Sequence, residues 1–150
     1  MKKIIDISLA ALITALTAAC AYLFTDINSI WFQTLTKPDF YPDPVVFIVA
    51  RAVIYIISAI TLAYAFGAKD KKAAVLMLIN YILQIIRYLA FFTLEMPLTA
   101  LFIVIVEVVI SNIITVNLID KNEFQGWLYF VVFVWTVFAA IINYALVMLN

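Results

Sequence analysis

Apolar residues in this chain neither alternate nor keep to one helical stripe. They come in five long runs, Ile4–Phe24, Pro44–Phe66, Ala73–Phe92, Pro97–Ile119 and Phe124–Leu149. Each has the roughly 20 residues that an α-helix needs to cross a bilayer. A transmembrane β-barrel would need short segments of alternating polarity, and these runs are apolar all round. The pattern predicts an all-α membrane protein, a five-transmembrane-helix bundle spanning residues 1–150 as one domain. The connections are short except Thr25–Asp43, where Trp31, Phe32, Phe40 and Tyr41 are interleaved with Asp, Asn, Ser and Pro. Aromatic side chains favour the membrane–water interface, so this segment is expected to lie as a lid over one mouth of the bundle. The first run begins with Lys2 and Lys3 but is too long for the apolar stretch of a signal peptide; it is expected to remain as a span.

Composition sharpens the choice of class. Of 150 residues, 68% are hydrophobic and 12% charged, against about half and about a quarter in a soluble domain. An interior of this size cannot hold that much apolar surface away from water, whereas lipid accepts it. A net charge of zero and the lack of a basic patch argue against nucleic acid as a partner. The chain has no histidine, which excludes a histidine-based triad or a histidine-ligated metal. Its single cysteine, Cys20, excludes an internal disulfide and reads as a small apolar packing residue. No cofactor is expected. In a five-span arrangement Lys2, Lys3, Lys69, Lys71, Lys72 and Lys121 fall on one side and Lys37 alone on the other. The excess of positive charge marks the cytoplasmic face. The N-terminus is therefore expected in the cytoplasm, with the C-terminus and the Thr25–Asp43 loop extracytoplasmic.

The informative residues are charges placed where lipid should be. Arg51, Arg87 and Glu107 lie inside the second, third and fourth runs. A charge near the bilayer centre costs at least ~2.5–3.5 kcal/mol, so such residues face the bundle interior or a wet cavity. At about 1.5 Å per residue, Arg51 lies ~10 Å, Arg87 ~8 Å and Glu107 ~15 Å below the lid-side ends of their helices. All three can converge beneath the lid. Helical spacing groups Phe47, Arg51 and Tyr55 on one face, and Asn80, Gln84, Arg87, Tyr88 and Phe91 on another. Glu107 aligns with Ser111, and Trp135, Phe138, Ala139, Ile142 and Asn143 form a stripe on the last run. Two readings stay open here. Glu107 with an arginine is either a lock between helices or part of a ligand site, and Phe47, Phe91 and Phe138 are either packing or ligand contacts. Two cations against one buried anion leave a positive excess that suits an anionic guest.

A resemblance emerges from Trp31-Phe32-Gln33-Thr34-Leu35-Thr36-Lys37-Pro38-Asp39-Phe40-Tyr41-Pro42. This stretch is similar to the W-Y-x-x-L-x-K-P-x-x-x-P-P signature of the translocator protein family, also called tryptophan-rich sensory protein or peripheral benzodiazepine receptor. Val46-Phe47 matches the V-F that follows. Phe91-Phe92, Met96-Pro97 and Ala100-Leu101 resemble its F-F-x-L-x-x-P-x-x-A-L segment. Gly126-Trp127-Leu128, Trp135, Phe138-Ala139 and Asn143-Tyr144 resemble its last helix. The resemblance covers nearly the whole chain, and the loop signature is its specific part. It implies a five-helix bundle, usually a homodimer, in the lipid bilayer, with a pocket beneath the first loop for porphyrins, sterols or benzodiazepine-type compounds. Transport, tetrapyrrole degradation and sensing have been proposed for the family. Trp31, Phe32, Pro42, Gln84, Trp135, Ala139 and Asn143 stand at positions matching its pocket.

The departures carry the functional expectation. Arg51 stands where the family has a tryptophan, and Arg87 where it has an aromatic residue. Stacking surface has given way to two planar forks of donors suited to carboxylate or phosphate. Val131 and Val132 replace a Pro-Tyr pair, and Asp43 replaces the second proline of the loop signature. No basic residue follows Tyr144, so the sterol-recognition pattern that needs one is missing. The expected function is a membrane receptor or carrier for an amphipathic, acidic ligand such as a porphyrin. Its expected ligand residues are Trp31, Phe32, Pro42, Phe47, Arg51, Gln84, Arg87, Glu107, Trp135, Phe138, Ala139 and Asn143. Two rivals are a tetrapyrrole-degrading enzyme and a structural membrane protein whose Arg and Glu only lock helices. Against the enzyme, no residue pair has the signature of acid–base or nucleophilic catalysis.

Overall fold

A computed structural model describes all residues 1–150, and 85% of them are helical with no strand. The helices are α1 (Lys2–Phe24), α2 (Ile30–Thr34), α3 (Pro44–Gly67), α4 (Lys71–Tyr88), α5 (Pro97–Lys121) and α6 (Glu123–Leu149), with a π-helical turn at Leu89–Thr93 between α4 and α5. Five are long and apolar enough to span a membrane, with mean hydropathy from 1.8 to 2.4. These match the five runs read from the sequence to within two residues at nearly every end. Two details differ. The third span is not one α-helix to Phe92 but widens into the π turn after Tyr88, and the loop contains the short helix α2.

The helix ends follow from local chemistry. Asp43 accepts from the Val45 N–H at 2.8 Å and caps α3, with Pro44 as its first residue. This gives a physical reason for aspartate at that position of the loop signature, since an N-cap carboxylate satisfies a free helix donor. Asp70 caps α4 through the Ala73 N–H at 3.1 Å, and Asn122 caps α6 through the Gln125 N–H at 3.2 Å. Ser29 caps α2 through the Phe32 N–H. Lys69 and Glu95 adopt left-handed backbone angles, with φ of 55° and 54°, where the chain reverses between spans.

Packing runs in a ring, α1–α3–α6–α5–α4 and back to α1, with α3 and α4 also meeting across the middle. The closest approach is the α5–α6 hairpin, whose helices are separated by Asn122 alone. A Cβ on Gly126 would stand 2.5 Å from the Ile119 backbone nitrogen and 2.6 Å from its Cα, so only glycine fits there. The outer surface is apolar: Ile4, Leu12, Leu16, Ile48, Ile60, Ile82, Phe102, Val109 and Val131 are all exposed. In lipid such a surface carries no penalty, and the polar residues turn inward instead.

Two clusters divide the interior. One, around Leu62, Ala65, Ala73, Met77, Ile114, Leu118 and Tyr129, fills the half of the bundle towards the lysine-rich connections. The other, around Phe32, Ala90, Phe91, Ala100, Ile142 and Leu146, lies towards the Thr25–Asp43 segment. That segment is fastened at its middle. The Asn150 side chain accepts from the Thr36 N–H at 2.7 Å and donates to the Thr36 carbonyl at 3.0 Å. It therefore lies at the end of the bundle where α6 finishes.

Candidate ligand-binding site

Beneath the Thr25–Asp43 segment lies a cavity of about 540 Å³, within the size range of small-molecule sites. Its walls come from the end of α1, from α2 and the loop around it, and from α3, α4 with its π turn, and α6; α5 contributes nothing. Wall residues Tyr22, Asn28, Gln33, Pro44 and Ile48 are exposed, so the cavity is open on the side where α1 ends and α3 begins.

Aromatic rings build the roof and upper wall. Phe32 is buried, with its ring 5.2 Å from Phe92 and 6.3 Å from Phe91. Tyr41 packs 5.4 Å from Phe47, which meets Trp135 edge-on at 5.9 Å. The Lys37 ammonium sits over the Phe32 ring at 4.4 Å from its centroid and over the Tyr41 ring at 5.8 Å, a cation–π contact that ties two parts of the loop together. Burial, with Tyr88 close by, pushes the Tyr41 phenol up to about 12. It is neutral at physiological pH and retains its proton as a hydrogen-bond donor.

The floor is cationic. Arg51 of α3 and Arg87 of α4 both line the cavity. They differ sharply in their partners. Arg87 donates from Nε to both Glu107 oxygens, at 3.0 and 3.2 Å, and Glu107 is 1% exposed. Arg51 takes part in neither of the two ion pairs of the chain. Both guanidinium groups lie over the Tyr88 ring, 4.5 and 4.6 Å from its centroid. Glu107 serves Arg87, and the shared neighbour is the electron-rich face of Tyr88.

The expected ligand residues separate into three groups. Phe32, Pro42, Phe47, Arg51, Arg87, Trp135, Ala139 and Asn143 line the main cavity. Gln84 and Glu107 lie below it, around a small recess that also touches Arg51, Arg87, Trp135 and Ala139. Trp31 and Phe138 form a layer behind the wall. Trp31 meets Phe91 edge-on at 5.3 Å, and Phe138 backs Trp135 at 5.7 Å. Each stands behind a ring of the wall, Trp31 behind Phe91 and Phe138 behind Trp135. Asn143 donates its amide N–H to the Ala139 carbonyl at 2.8 Å.

Sequence reasoning missed Tyr88 as the platform for both arginines, and Tyr41, Phe92 and Lys37 as wall residues. Tyr88 was placed on the right helix face, but nothing in the sequence marks one aromatic among 23 as a cation platform. Lys37 lies inside the loop signature, where it reads first as a topology marker.

Deeper in the bundle the polar groups are spent on one another. Asn80 donates to the Ser111 hydroxyl at 3.4 Å, with Tyr129 beside both, and the Tyr81 hydroxyl meets Thr14 at 3.1 Å. Below them Leu62, Ala65, Ala73, Met77, Ile114 and Leu118 have no exposed surface, so the cavity ends at mid-depth. At the far end Asp70 accepts from Lys121 at 2.8 Å and from Asn117 at 2.8 Å.

Comparison with known proteins agrees with this architecture. The profile of the TspO/MBR family matches residues 8–149. A Bacillus subtilis (strain 168) protein described as the uncharacterized membrane protein YtaB is 27% identical, in an alignment covering 100% of this chain and 99% of that protein.

Proposed function

The chain belongs to the TspO/MBR family of multi-pass membrane receptors and transporters, and from that premise we propose that it is a receptor or carrier for an amphipathic ligand bearing an acidic group. A porphyrin with its propionates is the type of molecule meant. The observation that carries this reading is Arg51, a guanidinium on the cavity floor with no carboxylate partner. Such a group keeps its donor fork available for a carboxylate or phosphate. Above it, Phe32, Tyr41, Phe47 and Trp135 offer ring surface to the apolar body of the ligand.

Residues 25–43 serve as the lid of this site, on the extracytoplasmic side, with the N-terminus in the cytoplasm. The lysine distribution supports that orientation, and the bond between Asn150 and Thr36 places the lid and the end of α6 together. Trp31 and Phe138 act by holding Phe91 and Trp135 in place. Glu107 acts as a lock between α4 and α5, which keeps Arg87 fixed.

The deciding experiment is a quenching titration of Trp135 fluorescence with a porphyrin, on the wild type and on Arg51→Gln. Saturable quenching that weakens by about tenfold or more in the variant is expected. Saturable quenching of equal strength in both would reject the acidic-ligand reading. Product analysis of the loaded protein in light and in darkness distinguishes a carrier, which returns the porphyrin intact, from a degrading enzyme.

A further inference from the structure

The floor of the cavity can be read for charge as well as for shape. Its fixed charges are Arg51, Arg87 and Glu107, and at the mouth Lys37 and Asp26 also line the wall. Lys37 and Asp26 are both exposed, so solvent and salt screen their charges at the mouth. Glu107, almost wholly buried, offsets Arg87 by direct contact at 3.0 Å. One positive charge, that of Arg51, is left over. The donors tell the same story. Arg87 spends its Nε on both oxygens of Glu107, whereas Arg51 meets no carboxylate at all.

We infer that the floor seats one acidic group and no more, so that the ligand class is amphiphiles that present a single carboxylate to Arg51. This rests on the acidic-ligand reading above and narrows it. A second anion on the floor would have no fixed charge to meet it. It would also face Glu107 across the recess that Arg51, Arg87 and Glu107 share. An unpaired charge at that depth is costly. A ligand with two acids must therefore keep the second at the open side of the cavity or protonate it. The remainder of the occupant is apolar and ring-like or chain-like, to suit Phe47, Trp135, Ile142 and Leu146 along the wall.

The test compares ligands that differ only in the number of free acids, measured by calorimetric titration of the full chain in nanodiscs. One series is protoporphyrin, its monomethyl ester and its dimethyl ester. The other is hexadecanoate, its methyl ester and hexadecanedioate. The first represents a tetrapyrrole source and the second a lipid-derived source of the same carboxylate. In the series that binds, the single acid should equal the double acid within about threefold, and the neutral ester should bind about tenfold weaker or more. Arg51→Gln should bring acid and ester together, and Arg51→Lys, which keeps the charge, should retain part of the difference. A double acid that binds about tenfold tighter than the single acid would overturn the one-seat inference while leaving the acidic-ligand reading in place. Equal binding of acid and ester in both series would overturn the two together.

Discussion

The two halves of this bundle bury polar groups in opposite ways. Towards the lysine-rich connections the buried polar side chains largely hold one another. Asp70 holds Lys121, Asn117 and the Ala73 N–H, Tyr81 meets Thr14, and Asn80, Ser111 and Tyr129 form a knot. Towards the Thr25–Asp43 segment the donors are left in surplus. Arg51 has no acid, and Lys37 rests only on aromatic faces. The first half is built as a solid, with Gly126 letting α5 and α6 touch backbone to backbone. The second is built around a space. A membrane helix needs inward polar groups in either case, and what separates scaffold from site is whether those groups find each other. Arg87 marks the boundary, since it faces the cavity yet is held from behind by Glu107.

That contrast can be broken most forcefully at the boundary itself. Glu107→Gln leaves the Arg87 guanidinium without its anion, and removing one member of a buried pair costs about 3–5 kcal/mol. Unfolding in a denaturing detergent should show a loss of that size. Replacing both residues by leucine should recover a large part of it, and no recovery would mean that Arg87 has a second essential partner. Gly126→Ala comes next. The added methyl meets backbone that cannot rotate away, and overpacking of this kind costs about 1–3 kcal/mol. The same assay should register it, with no matching loss from Gly67→Ala, where the nearest atom is 4.0 Å away.

Asp70 sharpens the comparison through pH. Burial favours its neutral form, but the hydrogen bonds from Lys121, the Ala73 N–H and Asn117 outweigh that and hold its carboxyl below the ordinary value. A carboxylate lowered in this way stabilises fully above its unfolded value of about 3.9 and stops doing so as pH falls through the folded value. Asp70→Asn keeps a capping side chain and should cost about 1 kcal/mol at neutral pH, because Lys121 is half exposed and its ion pair is screened. The gap between variant and wild type should close on acidification below about pH 4. A constant gap would assign the effect to packing. The smallest change is expected from Asn150→Ala, at roughly 0.5–1 kcal/mol. Its readout is local: faster hydrogen exchange at Thr36, with Asp70 and Ala73 unaffected.

Much of this was legible in the sequence, for reasons that can be named. The five spans were visible because bilayer thickness imposes one length on every helix. Eight of the twelve expected ligand residues line the main cavity, Phe32 and Pro42 through the loop signature and the other six on helix faces that regular spacing groups together. Spacing cannot tell a wall residue from the ring behind it, which is where Trp31 and Phe138 stand. The Asp70, Asn117 and Lys121 knot was hidden because its members lie on separate helices whose order around the ring is not a local property. The π turn at Leu89–Thr93 left no signal either, since Leu, Ala, Phe and Thr form an α-helix equally well.

The bond between Thr36 and Asn150 also has a meaning in time. A ribosome adds about 5–20 residues per second, so roughly 6–23 s separate the making of these two partners, which lie 114 positions apart. Throughout that interval the first loop can set its rings against Phe91 and Phe92 once these are made, but it lacks the hydrogen bonds that Asn150 supplies. Trp135, Ala139 and Asn143 are likewise late arrivals. The compartment therefore comes into existence only when α6 is in place, because one of its walls is made of Trp135, Ala139, Ile142 and Asn143.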